Sequence, residues 1–271
     1  MASPLGLQLL DLISRSDPAS LTDDDLVELL ARARRECSLY RGDYDQHVAA
    51  LKSRSAELSS LAEWLPQRMP HWWGDLDRAQ QVWLGPTADP PEDSQLVVDL
   101  SPFSPLVSKP KHAFWTSTFN STVVSPWLDW VRFGEDQRPG PYHLWRATVS
   151  TTARVAEIHS PAAWSALAMA YPSLQAAFRY SVGSDQSTSY GRLDPDWSRV
   201  SEEWDAVHLS VGGLLTAEDV AFTSGRLTTE LRSWNMESTA WFRWSFKAVE
   251  PLTQGLDGFS ADPSSSPASK L

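Results

Sequence analysis

The sequence predicts an α+β protein in which an N-terminal helical segment precedes a strand-rich region. Up to about residue 70, apolar residues recur at helical spacing. From Gln80 onward the chain breaks into short runs rich in Val, Trp and Phe, and Pro, Gly or Ser separates these runs, as is typical of strands joined by turns. Strands dominate and do not alternate regularly with helices, so α+β is favoured over α/β.

Residues 1–70 are predicted to form a helical appendage. The first helix is expected to start at Thr22, which can cap it, because the aspartates that follow favour the positive end of the helix dipole. A second, longer helix is expected from Tyr44 to Leu65. Both helices are expected to pack on the sheet by their Leu and Val faces without adding catalytic groups, and they are candidates for binding a protein partner.

Residues 71–250 are predicted to be the functional domain. The expected strands are QQVWL, QLVVDL, AFWTSTF, YHLWRATV, ARVAEI, DAVHLSV and AWFRWSFKAV. The expected helices are SPWLDWVRF, SPAAWSALAMAY with Ser160 as its cap, DPDWSRVSEEWD and SGRLTTELRSW, whereas VGGLL is interpreted as a turn. Residues 251–271 are rich in Ser, Pro, Gly and Asp and are expected to be a disordered tail.

Composition excludes several classes of function. A net charge of −11 and a pI near 4.9 argue against bulk attraction of nucleic-acid phosphates, although they are compatible with a local basic cleft. The lone Cys37 excludes an internal disulfide and a cysteine-based zinc site. The histidines show no metal-ligand spacing, so no metal is expected. No window approaches the roughly 20 apolar residues of a membrane span, and a soluble, cytoplasmic protein is the expectation.

The segment SWNMESTAWFRWSFKAV carries the main candidate site. If residues 238–248 form one strand, period-two alternation makes one face apolar core, namely Ala240, Phe242, Trp244 and Phe246. The other face then mixes a carboxylate, a hydroxyl, an indole and a guanidinium, namely Glu237, Thr239, Trp241 and Arg243. This mixture suits a cleft, but for the segment taken alone an ordinary half-exposed strand, with an arginine lying over Trp241, is the favoured interpretation.

Together with FWTST and SPWLDW, this segment resembles the ADP-ribosyltransferase superfamily of NAD-using enzymes. In that superfamily a strand carries a Ser/Thr triplet, a helix follows it, and a catalytic glutamate stands at the start of a late strand. The resemblance covers about Gln80 to Val249. It implies an ADP-ribosyltransferase-like mixed β core with peripheral helices, in which the triplet lies close to the glutamate.

The resemblance assigns roles to matching residues of this chain. Glu237 matches the catalytic glutamate, and Asn235 stands where many relatives have the Glu or Gln that engages the acceptor substrate. The residues implied to bind NAD are the triplet Thr116, Ser117 and Thr118 and the aromatic residues Trp115, Trp127 and Trp241. His208, in DAVHLSV, is interpreted instead as a strand residue whose ring is satisfied by its neighbours.

One part of the family pattern is missing. Relatives of the arginine class carry an Arg at the end of an early strand to hold the NAD phosphates, and neither QQVWLGP nor QLVVDL has one. Arg78, His71 and His112 are the alternatives, and no spacing selects among them.

The resemblance implies a mono-ADP-ribosyltransferase. Breaking the bond between nicotinamide and ribose builds oxocarbenium-like charge on the sugar, which a fixed carboxylate stabilises. Nicotinamide leaves as a neutral ring, so a catalytic histidine is not required. The enzyme would use NAD as a substrate, without a metal, and modify a macromolecular acceptor, protein or nucleic acid, in a toxin-like or defence-related role. The alternative is a non-catalytic module that binds a nucleotide or a protein.

Overall fold

The computed structural model describes residues 3–39, 44–85, 88–104, 107–118, 143–175, 191–224 and 227–252. In these ranges the α-helices are α1 (Pro4–Ser14), α2 (Asp23–Leu39), α3 (Tyr44–Ser53), α4 (Ser59–Arg68), α5 (Pro161–Ala170), α6 (Trp197–Glu203) and α7 (Val211–Ala217). The strands are β1 (Gln81–Gly85), β2 (Asp99–Ser104), β3 (Val107–His112), β4 (Phe114–Thr118), β5 (His143–Val149), β6 (Val155–Ile158), β7 (Pro172–Gln175), β8 (Gly191–Pro195), β9 (Ala206–Leu209), β10 (Phe222–Ser224), β11 (Leu227–Thr229), β12 (Ser238–Trp241) and β13 (Phe246–Pro251). The mixture of helices and sheets is the α+β class expected from the sequence.

Helix α1 is an element that the sequence prediction missed, because the first helix was expected at Thr22. Ser3 caps α1, and its Oγ accepts a hydrogen bond from the Gly6 N–H at 3.0 Å. Every residue of α1 before Ser14 is buried, and α2, α3 and α4 each contact this helix. A helix that is apolar on most sides is stable only when other elements cover it. Helix α1 therefore lies at the centre of the N-terminal helices.

The helix expected from Tyr44 to Leu65 is interrupted and forms α3 and α4. At the interruption the Ser53 Oγ donates to the Ala50 carbonyl at 2.7 Å, and the Ser59 Oγ donates to the Ala56 carbonyl at 2.8 Å. Such serine bonds compete with the regular helical ladder. One hydrophobic cluster holds residues of these helices together with strand residues of the sheet, so the helices and the sheet share a core. The expected boundaries at residues 70 and 250 stay predictions.

The described residues form a seven-stranded sheet in the order β13-β5-β1-β4-β12-β9-β6. Neighbouring strands of this sheet are antiparallel, except that β6 and β9 are parallel to each other. Thr116 on β4 faces Thr239 on β12, Thr239 faces His208 on β9, and His208 faces Glu157 on β6. Residues opposite one another share a face, so these four side chains form a polar row across the sheet. A second sheet has the order β10-β11-β8-β7, and β2 and β3 form a hairpin.

Three local predictions are wrong. The segment SGRLTTELRSW was expected to be a helix, but its described part contains strand β11, where neighbouring threonines suit a strand. QLVVDL enters a strand only at Asp99. VGGLL lies in helix α7, which Ser210 caps through its Oγ. Gly213 lets α7 approach β6, because a Cβ at this position would lie 2.1 Å from the Ile158 carbonyl oxygen.

The single strand expected over residues 238–248 is also wrong. β12 ends at Trp241, and β13 begins at Phe246 and pairs with β5 elsewhere in the sheet. The expected division into a core face and a cleft face is also wrong, because the Trp241 ring packs edge-on against the Phe246 ring, with 4.8 Å between the ring centroids. Arg243, in the turn between the strands, pairs with Asp205 at 2.7 Å. Every residue of β12 is buried, so the alternation of side chains along it does not identify a solvent-exposed face.

Some expectations fall outside the described ranges: the helix SPWLDWVRF, Trp127 within it, and the tail beyond Leu252. Elsewhere two predicted caps are confirmed, and at the first of them the Thr22 Oγ1 accepts the Asp25 N–H at 3.2 Å. Ser160 caps α5 and accepts the Ala163 N–H at 3.2 Å. None of the helices in the described ranges combines the length and the apolar character needed to cross a membrane.

Candidate active site

The candidate site is centred on Glu237, immediately before β12. Its carboxylate accepts hydrogen bonds from the Ser117 Oγ at 2.7 Å, the Thr118 Oγ1 at 2.7 Å and the Thr118 N–H at 3.0 Å. Only 4 % of Glu237 is exposed. The side chain is placed by the pairing of β12 with β4, which brings the start of one strand beside the end of the other. Ser117 and Thr118 therefore lie beside Glu237, as the family resemblance requires.

His208 lies between Glu237 and Glu157. Its Nε2 lies 3.2 Å from the Glu237 Oε1, and its Nδ1 lies 2.5 Å from the Glu157 Oε2. The ring is 3 % exposed. The sequence interpretation of a satisfied strand histidine holds for its hydrogen bonding, but it missed that both partners are carboxylates and that one of them is Glu237.

The three groups control one another's charge. Burial opposes ionisation of Glu237, but the hydrogen bond and charge of His208, with the hydroxyls of Thr118 and Ser117, outweigh it and hold the pKa of Glu237 below its ordinary value. Burial likewise opposes a charged imidazole, yet the bonds to Glu157 and Glu237 raise the pKa of His208 to about 9. Both pKa shifts favour an ionised Glu237 beside a protonated His208.

A second set of hydrogen bonds supports the triplet from within. Gln81 on β1 donates to the Thr118 Oγ1 at 3.1 Å and accepts from the Thr116 Oγ1 at 2.6 Å. The Trp241 indole N–H donates to the Thr116 Oγ1 at 2.8 Å. Thr116 and Trp241 are fully buried. They support the site from inside the sheet, whereas the sequence resemblance implied that both contact NAD.

Trp115 and Asn235 lie away from the carboxylate. Trp115 is half-buried on the opposite face of β4, edge-on to Trp234 at 5.4 Å. Asn235 is exposed and has a left-handed backbone with φ of 70°, and its N–H donates to the Glu218 Oε1 at 2.7 Å. Burial and the charge of Asp219 raise the pKa of Glu218 to about 8. The structure does not bring Trp115 or Asn235 into hydrogen-bonding contact with Glu237.

The three candidates for holding the NAD phosphates differ in their surroundings. Arg78 donates hydrogen bonds to the carbonyls of Ser150 and Ala153 at 2.8 and 2.9 Å. These bonds stabilise the turn between β5 and β6. His112 is exposed at the end of β3, and His71 is exposed edge-on to Trp72. None of these side chains bonds to the residues around Glu237.

The polar row ends near the surface at β6. The Glu157 Oε1 accepts the Leu76 N–H at 3.1 Å, and the His159 Nε2 lies 3.0 Å from the Asp75 Oδ1. The ligand-type atoms of Asp75, Glu157 and His159 lie within 4.8 Å of one another, a geometry compatible with a metal ion. Spacing in the sequence could not show this cluster, because Asp75 is distant in the chain from Glu157 and His159. The expectation that the protein uses no metal stays a prediction.

Sequence reasoning did not assign Gln81, Glu157 or His208 to the site. Each is a polar residue inside a short strand that is otherwise mostly apolar, which is the one signal the sequence offered. A buried polar side chain needs a partner, so such positions identify the polar side of a sheet.

Compared with known proteins, the chain matches no family model, no curated protein and no solved structure. The geometry of the site is therefore the basis for a functional proposal.

Proposed function

We propose that this protein is a mono-ADP-ribosyltransferase that cleaves the bond between nicotinamide and ribose in NAD and transfers ADP-ribose to a macromolecular acceptor, protein or nucleic acid. The observation that carries the proposal is the contact of Glu237 with Ser117 and Thr118. It joins the two motifs on which the family resemblance rests, although they are distant in the chain.

The chemistry of the site supports this reaction. The bond from the ribose C1 to the nicotinamide nitrogen breaks, its electron pair leaves with neutral nicotinamide, and positive charge develops on the sugar. Glu237 is ionised, held in place from several sides and shielded from water, so its charge acts in a medium of low dielectric. A carboxylate fixed in this way stabilises the transition state more than the neutral ground state of the ribose.

Other residues take parts consistent with their positions. NAD would approach Glu237 from the side of Thr118, which is only partly buried. Exposed Asn235 is available to an acceptor, which loses a proton as it attacks the sugar. Trp115 is the one half-buried aromatic residue among the implied NAD contacts that the structure describes. On the strength of the resemblance, we extend the proposal to a toxin-like or defence-related role. We also propose a cytoplasmic location, with which the free thiol of Cys37 is compatible.

The test compares wild type with Glu237→Gln. We expect the variant to keep the fold and to lose roughly a hundredfold to a thousandfold in nicotinamide release, the loss typical of removing one electrostatic group from a transition state. Release of nicotinamide and labelling of protein and nucleic-acid fractions from labelled NAD are measured at matched thermal stability.

Glu218→Gln is the matched control, because Glu218 is also a buried carboxyl. With its raised pKa, Glu218 is largely protonated at neutral pH, so the control removes little charge. Turnover by Glu237→Gln within about threefold of wild type, a difference under roughly 0.7 kcal/mol, would show that Glu237 is not the catalytic carboxylate.

A non-catalytic module for a nucleotide or protein is the second candidate function. It is favoured by the saturation of Glu237, since both carboxylate oxygens already have partners within the protein. In that case wild type releases no nicotinamide, and NAD or a nucleotide binds with equal affinity to wild type and Glu237→Gln.

A further inference from the structure

We propose that Gln81 is a positioning residue whose side-chain amide fixes the direction of the Thr118 hydroxyl proton, so that Thr118 donates to Glu237 and holds the carboxylate in place. The catalytic meaning of this inference rests on the proposed function. Its structural content, the direction of a chain of buried hydrogen bonds behind the site, can be measured without any turnover.

Gln81 acts on the site from inside the sheet. It is the first residue of β1, is fully buried, and lies opposite Thr118 in the antiparallel pairing of β1 with β4. A fully buried side chain does not touch an incoming substrate. Any effect of Gln81 on the chemistry is therefore carried by the side chains to which it bonds.

Two partners fix the orientation of the Gln81 amide. The Asp77 carbonyl can only accept a hydrogen bond, so the end of the amide that lies 3.1 Å from it is the NH2 group. The Trp241 indole N–H can only donate, and it donates to the Thr116 Oγ1 at 2.8 Å. The single hydroxyl proton of Thr116 is then directed to the Gln81 Oε1, 2.6 Å away. An acceptor-only group and a donor-only group thus require the same orientation of the amide.

This orientation decides the role of the Thr118 hydroxyl. The Gln81 Nε2 donates to the Thr118 Oγ1 at 3.1 Å, and an amide NH2 group cannot accept the hydroxyl proton in return. The Glu237 Oε1 lies 2.7 Å from the same Thr118 oxygen and receives that proton. A reversed amide would present its oxygen to Thr118 and draw the proton away from Glu237.

The consequence is that the orientation of Glu237 depends on a residue that it does not contact. Thr118 donates to the carboxylate from its hydroxyl and from its backbone N–H, and only the hydroxyl proton has a direction to be chosen. Groups that are already oriented lower a barrier because they need not reorganise during the reaction. Loss of the Gln81 amide should therefore lower kcat for nicotinamide release and leave KM for NAD unchanged.

The experiment uses the full chain with Gln81→Met, which keeps the length of the side chain and removes the amide. Gln8→Met is the matched control, because Gln8 is a buried glutamine in α1 whose amide bonds to Glu36 and His47. We expect Gln81→Met to lower kcat roughly tenfold to a hundredfold, the effect typical of groups that orient metal ligands. Gln8→Met should lose stability and keep the kcat of wild type per folded molecule.

A double-mutant cycle shows whether Gln81 acts through Thr118. Thr118→Val removes the hydroxyl, and in that background Gln81→Met should lower kcat by no more than about threefold further. If the two losses were fully additive, Gln81 would act on the fold as a whole, and the inference would be overturned. The same holds if Gln81→Met alone stays within about threefold of an active wild type.

NMR of wild type without NAD separates this inference from the proposed function. Nuclear Overhauser contacts from the Gln81 NH2 protons that are stronger to Thr118 than to Thr116 support the inference even if NAD is never cleaved, in which case only the proposed function fails. Contacts that are stronger to Thr116 would show a reversed amide and overturn the inference, whatever the turnover. This measurement is valid even if Gln81→Met does not fold.

Discussion

Strands β6, β9 and β12 differ in chemistry between their two faces. On one face Ile158, Val207 and Ala240 belong to the large hydrophobic cluster that also contains α1. On the other face the same strands carry Glu157, His208 and Thr239 in the polar row, beside a smaller hydrophobic cluster that includes Ala206 and Trp241. Alternate residues of one strand thus serve two environments.

The difference shows where specificity lies in this molecule. Apolar burial is non-directional, and similar side chains can replace one another at modest cost. A buried polar group requires a particular partner at a particular distance, because an unsatisfied group costs about 1–3 kcal/mol. The polar face therefore permits few arrangements, and it is the face on which the proposed chemistry depends.

The largest expected effect comes from weakening the apolar face. Leu9, fully buried in α1, belongs to the large cluster. Leu9→Ala should lower the free energy of unfolding by about 3–5 kcal/mol, through lost burial and the cavity that remains. Urea denaturation measures this loss, and nicotinamide release per folded molecule should stay unchanged. A tenfold fall in that specific activity would show that the two faces are coupled rather than independent.

The next effect is a pH dependence that belongs to the polar face. His208 has a folded pKa near 9 against an ordinary value of 6.5, so its stabilisation is complete below about pH 6.5 and lost as the pH rises through 9. Glu237 has a lowered pKa, so its stabilisation is present above its ordinary value of 4.5 and lost as the pH falls through the folded value. The two contributions overlap between about pH 4.5 and 6.5.

Urea denaturation from pH 5 to 10 measures the histidine contribution. Wild type should lose at most about 3 kcal/mol between pH 6.5 and 10 beyond what His208→Gln loses. Parallel curves for the two proteins over that range would mean that His208 has the same pKa folded and unfolded.

The smallest effects come from exchanging the chemistry of the two faces at nearly constant shape. Thr116→Val leaves the Trp241 indole N–H without its acceptor, and Val207→Thr buries a hydroxyl in the apolar cluster. Each should cost about 1–3 kcal/mol in unfolding free energy. Thr116→Ser, which keeps the hydroxyl, should recover most of the first loss. If Val207→Thr were neutral, the apolar face would contain an acceptor and the contrast between the faces would be smaller than inferred.

Some parts of the fold could be predicted from the sequence because their causes are local. The cap at Ser160 depends on hydrogen bonds within one turn, and β5 depends on a short run of strand-forming residues. Other parts failed where distant contacts outweighed local preference. VGGLL forms a helix because Gly213 permits close packing on β6, and the run after Ser238 divides because β13 pairs at the far side of the sheet.

The candidate site was predictable only in part. The proximity of Ser117 and Thr118 to Glu237 followed from the resemblance to a known family, since nothing local relates these positions. The support from Gln81 and the pairing of Glu157 with His208 depend on strand order, which hydrophobic periodicity does not encode.

The sequence by itself determined an α+β chain with helices first, short strands after them, and polar residues inside several strands. Only the tertiary structure decided that those polar residues face the same way and bond to one another. The physical reason is that a strand fixes only the alternation of its own side chains, whereas order and register are set by packing and hydrogen bonds summed over the whole sheet. The pKa values of Glu237 and His208 are therefore shifted only when β12 and β9 lie side by side.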